Sequence, residues 1–443
     1  MSPSRAATTP PPGTSLERRA FLTRGGLSLA AVLSGCGRTA SLEPEEVPPP
    51  VLASGALQVA TGVENSAPLL PGGHRVDELE KCGHYEHWRE DFGQAREMGI
   101  GAIRYGPPLH RVLPSPAGYD WSGVDDQMAW LQENGMEVFA DLCHFGAPAW
   151  MSGLDDPALP TTLGEYAGEF ARRYPWVRYY TPVNEIYIAA LFSSYHGWWT
   201  EARKGERAFV RTVVNLARGH ELAVEAILRE RPDAVIVQCE SIERYEPASG
   251  TGAGAASHAA RWNELRCLAL DLTLGRPLSP TLRSALARAG VRDTGLELFG
   301  RARGQDRRWL GADYYAGCEQ VVREDGSRGP SSHRVGLASV ARSYYDRYGI
   351  PLYLTETNRD DGRAVEWLHE QWNEVLLLRA TGVPVHGFTW YGLTDSVDWA
   401  RLLREERGIP DPVGLLALDR TVRPVGTAYA ALISRWTPAL HAA

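Results

Sequence analysis

The sequence predicts a single (β/α)8 barrel, and three observations carry that expectation. Eight short runs of β-branched, aromatic and aliphatic residues alternate with stretches of helical period from about residue 56 to the C-terminus. No second composition regime interrupts them. Two of the runs end on a glutamate with an asparagine close by, Asn184-Glu185 and Glu356-Thr357-Asn358, and the carboxyl ends of strands are where parallel α/β barrels place their chemistry. An open doubly wound sheet is the alternative topology. It lacks its usual signal, because the first strand ends in one glycine, Gly62, rather than a Gly-rich dinucleotide loop.

The elements follow in order. Residues 56–62 read as the first strand, ending near Glu64-Asn65, and 87–98 as an amphipathic helix with Trp88, Phe92 and Ala95 on one face and Gly99 as its stop. Residues 100–105 form the second strand, closed by Arg104 and Gly106-Pro107-Pro108, before a helix over 124–134. The third strand, 137–142, runs into Cys143-His144-Phe145-Gly146. A helix over 163–173 precedes the fourth strand, 177–185, and a long aromatic loop, 187–199, precedes the helix 208–229. Residues 234–239 are the fifth strand; Gly- and Ala-rich 250–256 reads as a flexible insertion. Helical patterns cover 262–274 and 281–289. The remaining strands are 309–315, 351–356 and 385–391, with helices over 335–348, 365–380 and 427–435.

Composition bounds the function. The chain has 443 residues, 44% hydrophobic and 23% charged, which is globular rather than disordered. Lys+Arg number 46 against 54 Asp+Glu, a net charge of −8 that argues against nucleic acid or an anionic membrane surface as partner. The 14 Trp and 18 Tyr suit stacking on sugar rings as well as core packing. Residues 1–36 read as an address: Glu17-Arg18-Arg19-Ala20-Phe21-Leu22 resembles a twin-arginine export motif, and Leu33-Ser34-Gly35-Cys36 resembles a lipobox whose cysteine is lipidated. The apolar run between them is too short to span a bilayer. Residues 37–54, rich in Pro and Glu, read as a tether, leaving 55–443 as the catalytic domain. This predicts an exported protein, anchored by lipid at the outer face of the bacterial cell membrane. The other five cysteines lack paired spacing and read as buried thiols. Cys82, His84 and His87 have zinc-donor chemistry, but nothing else obviously completes such a site.

In a barrel, strand ends converge on one mouth. That would gather Glu64, Arg104, His144, Asn184, Glu185, Tyr315, Glu356 and the Trp390–Trp399 stretch. Two carboxyls on opposite sides of a pocket are what glycoside hydrolysis needs. Arg104 and Tyr315 are suited to holding the attacking carboxylate ionised, and Asn184 to bonding the hydroxyl beside the reacting carbon.

Thr181-Pro182-Val183-Asn184-Glu185-Ile186 resembles the T-x-N-E-P acid/base motif of glycoside hydrolase family 1, the β-glucosidase family. Leu354-Thr355-Glu356-Thr357-Asn358 resembles its I-T-E-N-G nucleophile motif. The stretch 141–148 parallels Y-H-W-D-L-P, Gly311-Ala312-Asp313-Tyr314-Tyr315 parallels G-x-N-Y-Y, and 387–399 parallels the segment ending W-S-L-x-D-N-x-E-W. The resemblance runs in register from residue 56 to the end. It implies a retaining β-glycosidase acting on β-linked oligosaccharides or small β-glycosides, with Glu185 as acid/base, Glu356 as nucleophile, and no metal or organic cofactor. It places Glu64, Arg104, His144, Asn184, Tyr315, Trp390, Tyr391, Asp398 and Trp399 around the sugar.

The chain departs from the family pattern in several places. Glu64 stands for a sugar-binding glutamine, Asp398 for a longer glutamate, Ile186 for the proline after the acid/base, and Thr357-Asn358 for Asn-Gly. These changes put the usual glucose or galactose preference in question. A transglycosylase on the same site and a non-hydrolytic sugar-binding lipoprotein are the competing readings.

Overall fold

The computed structural model describes residues 57–199, 204–292, 296–299, 304–360 and 362–440. The expected export signal, Cys36 and the tether lie outside the described residues.

Eight parallel strands close into a barrel in chain order: β1 Gln58–Gly62, β2 Ala102–Tyr105, β3 Glu137–Asp141, β4 Tyr179–Thr181, β5 Val235–Ser241, β6 Arg308–Asp313, β7 Leu352–Glu356 and β8 Val385–Tyr391, with β8 pairing back onto β1. The strands are short and almost wholly buried, as expected where helices cover the outer face and side chains fill the interior. The lower interior is aromatic. Phe139 stacks on Tyr179 at 4.4 Å, and Trp309 stacks on His386 at 4.2 Å. The Tyr353 ring fits only because residue 387 is glycine, since a Cβ there would lie 2.2 Å from it.

Register then sets the mouth. Gly62 pairs with Arg104 on one side and Tyr391 on the other, Asp141 pairs with Thr181, and Asp313 pairs with both Ser241 and Glu356. These pairings put strand-end side chains from all round the ring at one level.

The covering helices fall close to the sequence expectations, including Glu206–Glu230, Ala364–Ala380 and a longer closing helix, Pro424–Leu440. Three differences have physical causes. The fourth strand stops at Thr181, so Glu185 stands on the bend beyond it. The aromatic stretch after Glu185 is helical, Ile186–Ala190 followed by a π turn over Leu191–Tyr195. The Gly/Ala-rich segment is no loose insertion but the start of a helix, Ala253–Leu265. The Glu324 carboxylate accepts from the N–H groups of Gly252, Gly254 and Ala255 there, supplying a cap that local sequence lacks. A small sheet of Arg244–Pro247, Glu319–Val322 and Arg328–Pro330, flanking the barrel after β5 and β6, was not anticipated. Cys82, Cys143, Cys239, Cys267 and Cys318 are buried and free of disulfides.

Candidate active site

Glu185 and Glu356 face each other. One carboxyl oxygen from each of Glu185, Glu356 and Asp313 lies within 4.8 Å of the other two, and the three residues are buried. Glu185 has left-handed backbone angles, φ 41° and ψ 61°, rare for a residue with a side chain and typical of sites where function fixes the backbone. Its N–H donates to Cys239 O on β5 at 3.0 Å, and its carbonyl accepts from Ala189 at 2.8 Å. The Glu240 carboxylate, also on β5, accepts from the N–H of Tyr187 at 3.1 Å. The bend that aims Glu185 is thus tied at both ends.

Glu356 accepts from two strong donors. Arg104 Nη1 bonds one oxygen, and the Tyr315 hydroxyl donates to the other at 2.5 Å. Burial, followed by the nearby Glu356 charge, pushes the Tyr315 phenol well above its ordinary range, so it stays a donor. The second Arg104 nitrogen donates to Asp141 Oδ2 at 2.9 Å and to the Asn184 amide oxygen. Asp141 also holds His144 Nδ1 at 2.7 Å, and Asn184 Nδ2 lies 3.1 Å from His144 Nε2. Burial works against charge on both members of the Asp141–His144 pair. The net effect is nonetheless a lowered Asp141 and a raised His144, because Arg104 and His144 favour the carboxylate and Asp141 favours the imidazolium.

Glu185 has the opposite environment. Its first cause of shift is burial, its second the Glu356 charge, and together with Asp313 and Glu240 they drive its carboxyl well above the usual range. One carboxyl paired with a guanidinium and one kept protonated is the division of labour of a nucleophile and a general acid. The same three carboxyls have spacing that would admit a metal ion. Arg104 and Tyr315 already occupy Glu356, which disfavours a cation there.

The other expected residues divide. Glu64 is buried beside the site, accepts from Ser66 N at 3.0 Å, and has its carboxyl raised by burial. Tyr391 lies inside the barrel, its ring 6.2 Å from His144 and 5.5 Å from the Arg104 guanidinium. Gly62 makes that position possible, since a Cβ there would fall 2.1 Å from the Tyr391 ring. Trp399 is half-buried against Phe145 and Trp199.

Trp390 departs from its expected role. Strand alternation turns it outward when Tyr391 points inward. It is fully buried, and its indole N–H donates to Val413 O at 2.9 Å. Asp398 departs as well. Its carboxylate accepts from the N–H groups of Arg407 (2.8 Å), Gly408 (2.9 Å) and Ile409 (3.1 Å), and Lys81 Nζ lies at 3.3 Å. Four such contacts fill its acceptor capacity, so it shapes the loop rather than reaching for a sugar. Of the zinc-type donors, Cys82 bonds Asp395 O, His84 bonds Asp91 and Gln127, and His87 faces solvent beside Glu90.

Sequence reasoning missed Asp141 and Asp313 as site residues. Both end interior strands, β3 and β6, and that position was the available signal.

No protein-family model matches the chain. The chain is similar to a β-glucosidase of an Agrobacterium species, at 22% identity over 404 residues, covering 81% of this chain and 86% of that protein. It also matches β-glucosidase A of Thermotoga maritima, at 24% over 176 residues, 38% of this chain and 40% of the relative. Among solved structures, β-glucosidase from Thermotoga maritima in complex with glucoimidazole superposes with a TM-score of 0.72 at 19% identity, covering 86% of this chain and 98% of that one. The chain is a distant relative of β-glucosidases and is built on the same eight-stranded barrel.

Proposed function

We propose that the protein is a retaining β-glycosidase acting on β-linked oligosaccharides or small β-glycosides. The observation carrying this reading is the pair of buried glutamates, Glu185 on the bend after β4 and Glu356 at the end of β7, with one carboxyl oxygen of each within 4.8 Å of the other. That separation fits the roughly 5–5.5 Å of retaining enzymes better than the roughly 6.5–9.5 Å of inverting ones, which must fit a water between the carboxyls. The relatives named above support the substrate class.

In the first step a Glu356 oxygen bonds to the anomeric carbon as the bond to the leaving oxygen breaks, and Glu185 gives that oxygen its proton. A glycosyl ester on Glu356 results. In the second step Glu185, now ionised, takes a proton from water, the water oxygen bonds to the anomeric carbon, and the ester bond breaks. Two inversions give net retention. Arg104 and Tyr315 orient Glu356 for attack and receive its electron density back when the ester breaks. Asn184 and His144, joined to each other and to the Arg104–Asp141 pair, line the wall against which a sugar hydroxyl would bond.

The test is Glu356→Ala assayed on a panel of aryl glycosides varying in sugar and anomeric configuration. Turnover should disappear, and azide or formate should restore it with inverted product. Near-full activity of the variant would sink the assignment. The panel also fixes the preferred sugar, which the changes at Glu64 and Asp398 leave open.

The export and lipid-anchor reading belongs to the same proposal and rests on the motifs around Arg18-Arg19 and Cys36. Cys36→Ala should move the protein from the membrane fraction to the soluble one. An unchanged distribution would remove the anchor from this account.

A further inference from the structure

Asp313 is a third carboxyl in the site, and the two-glutamate mechanism leaves it without a task. It ends β6, in register with Glu356 on β7 and Ser241 on β5. It is fully buried. One oxygen accepts from the Thr355 hydroxyl at 2.6 Å; the other has no hydrogen-bond partner. A buried carboxyl oxygen without a partner is costly, and proteins retain few of them without cause. One of its oxygens lies within 4.8 Å of an oxygen of Glu185 and of an oxygen of Glu356.

We propose that Asp313 is a positioning residue for the acid/base, its carboxylate acting with that of Glu356 to keep the proton on Glu185. The inference rests on the function proposed above and assigns to this chain a residue through which that site is tuned.

The charges around Glu185 can be followed from each packed element. Glu356 on β7, Asp313 on β6 and Glu240 on β5 raise its carboxyl, and Arg104 on β2 lowers it. Arg104 is committed to Glu356, Asp141 and Asn184, so its charge is shared before it reaches Glu185. Asp313 is itself raised by burial first and by Glu356 second, with Arg104 and Thr355 opposing and Asp141 adding to the rise. Arg104 and Tyr315 donate to Glu356 and Thr355 donates to Asp313, and a charge on either acid makes ionisation of Glu185 harder. Protons in such a cluster leave in steps belonging to the group as a whole. Deleting one acid moves the remaining steps in a fixed direction.

The experiment is Asp313→Asn, isosteric and uncharged. For two charges within about 4.8 Å of each other in a medium of effective dielectric near 20, removing one should lower the alkaline limb of kcat/KM by about two to three pH units. That limb reports the free enzyme's acid. An unchanged or raised limb overturns the proposal, whatever the height of the profile. A residue that merely packed the site would change the height and leave the limb where it was. Should Asp313→Asn fail to fold, Asp313→Ser removes the same charge in a smaller volume and must move the limb the same way. The infrared band of the protonated Glu185 carboxyl, identified by its loss in Glu185→Gln, gives the titration without turnover. Absence of any β-glycosidase activity in the wild type would defeat the functional reading. A Glu185 band that titrates alike with and without Asp313 would defeat this one.

Discussion

Asp141→Asn tests the charge network beneath the pocket. In the wild type one carboxylate oxygen accepts from Arg104 at 2.9 Å and from His144 at 2.7 Å, and all three residues are buried. The substitution keeps the shape and removes the charge. Breaking a buried pair costs about 3–5 kcal/mol when the partner is left uncompensated. Here Arg104 retains Glu356 and Asn184, which argues for the lower end, about 3 kcal/mol. At about 2.1 cal/mol/K per residue over roughly 380 folded residues, the melting temperature should fall by about 4 °C.

The pH dependence of that deficit carries more information than its size. Asp141 is lowered in the fold, so its contribution is present above the unfolded value near 3.9 and is lost as pH falls through the folded value. His144 is raised, so its contribution is present below about 6.5 and is lost as pH rises through its folded value. Both depend on the same contact. The deficit should therefore be widest between about pH 4 and 6.5 and narrow on either side. Differential scanning calorimetry across that range decides the matter. A deficit independent of pH, or one below about 1 °C at pH 5.5, would show that the Asp141 charge is not what holds Arg104 and His144.

Other substitutions probe separate links in the chain from sequence to site. Tyr315→Phe deletes the hydroxyl donating to Glu356 at 2.5 Å. Such a bond to a charged group is worth about 1.5–3 kcal/mol, so kcat/KM on an aryl β-glycoside should fall about 10- to 100-fold; a change under threefold would refute its role. Gly62→Ala places a methyl where the Tyr391 ring sits. It should cost about 1–3 kcal/mol in urea unfolding and raise KM more than it lowers kcat, and wild-type stability would contradict the packing described. Asp398→Ala orphans the amides of Arg407, Gly408 and Ile409. Limited proteolysis should then cut within 399–409 at concentrations that leave the wild type intact, and equal resistance would mean the loop holds without its carboxylate.

The legible part of this protein is the part written in strand periodicity. All eight barrel strands appear in the sequence as short apolar runs, and β8 occupies the same residues, 385–391, in both readings. Glu356 could be found because a carboxyl at the end of such a run has few reasons to be there other than chemistry. Glu185 is read as the end of a strand over 177–185, but β4 ends at Thr181 and a left-handed bend carries the rest. Helix capping over long sequence distances stayed hidden: nothing near Gly252 announces Glu324.

The misplaced residues follow from the same physics. Trp390 and Tyr391 are adjacent aromatics in one motif, but a strand turns successive side chains to opposite faces, so at most one can line the pocket. Gly62 on the neighbouring strand decides which, because it leaves room inside for the Tyr391 ring. Asp398 stands at the expected place in its motif, and only the fold reveals three amides turning back to claim it. Asp313 is the converse case. It ends a strand as Glu356 does, and by the rule that singled out Glu356 it should have drawn the same attention. What sequence could not supply is the pairing of Asp313 with Glu356 across two parallel strands. Once that register is fixed, a third acid must share the hollow with the two glutamates, and its charge must act on theirs.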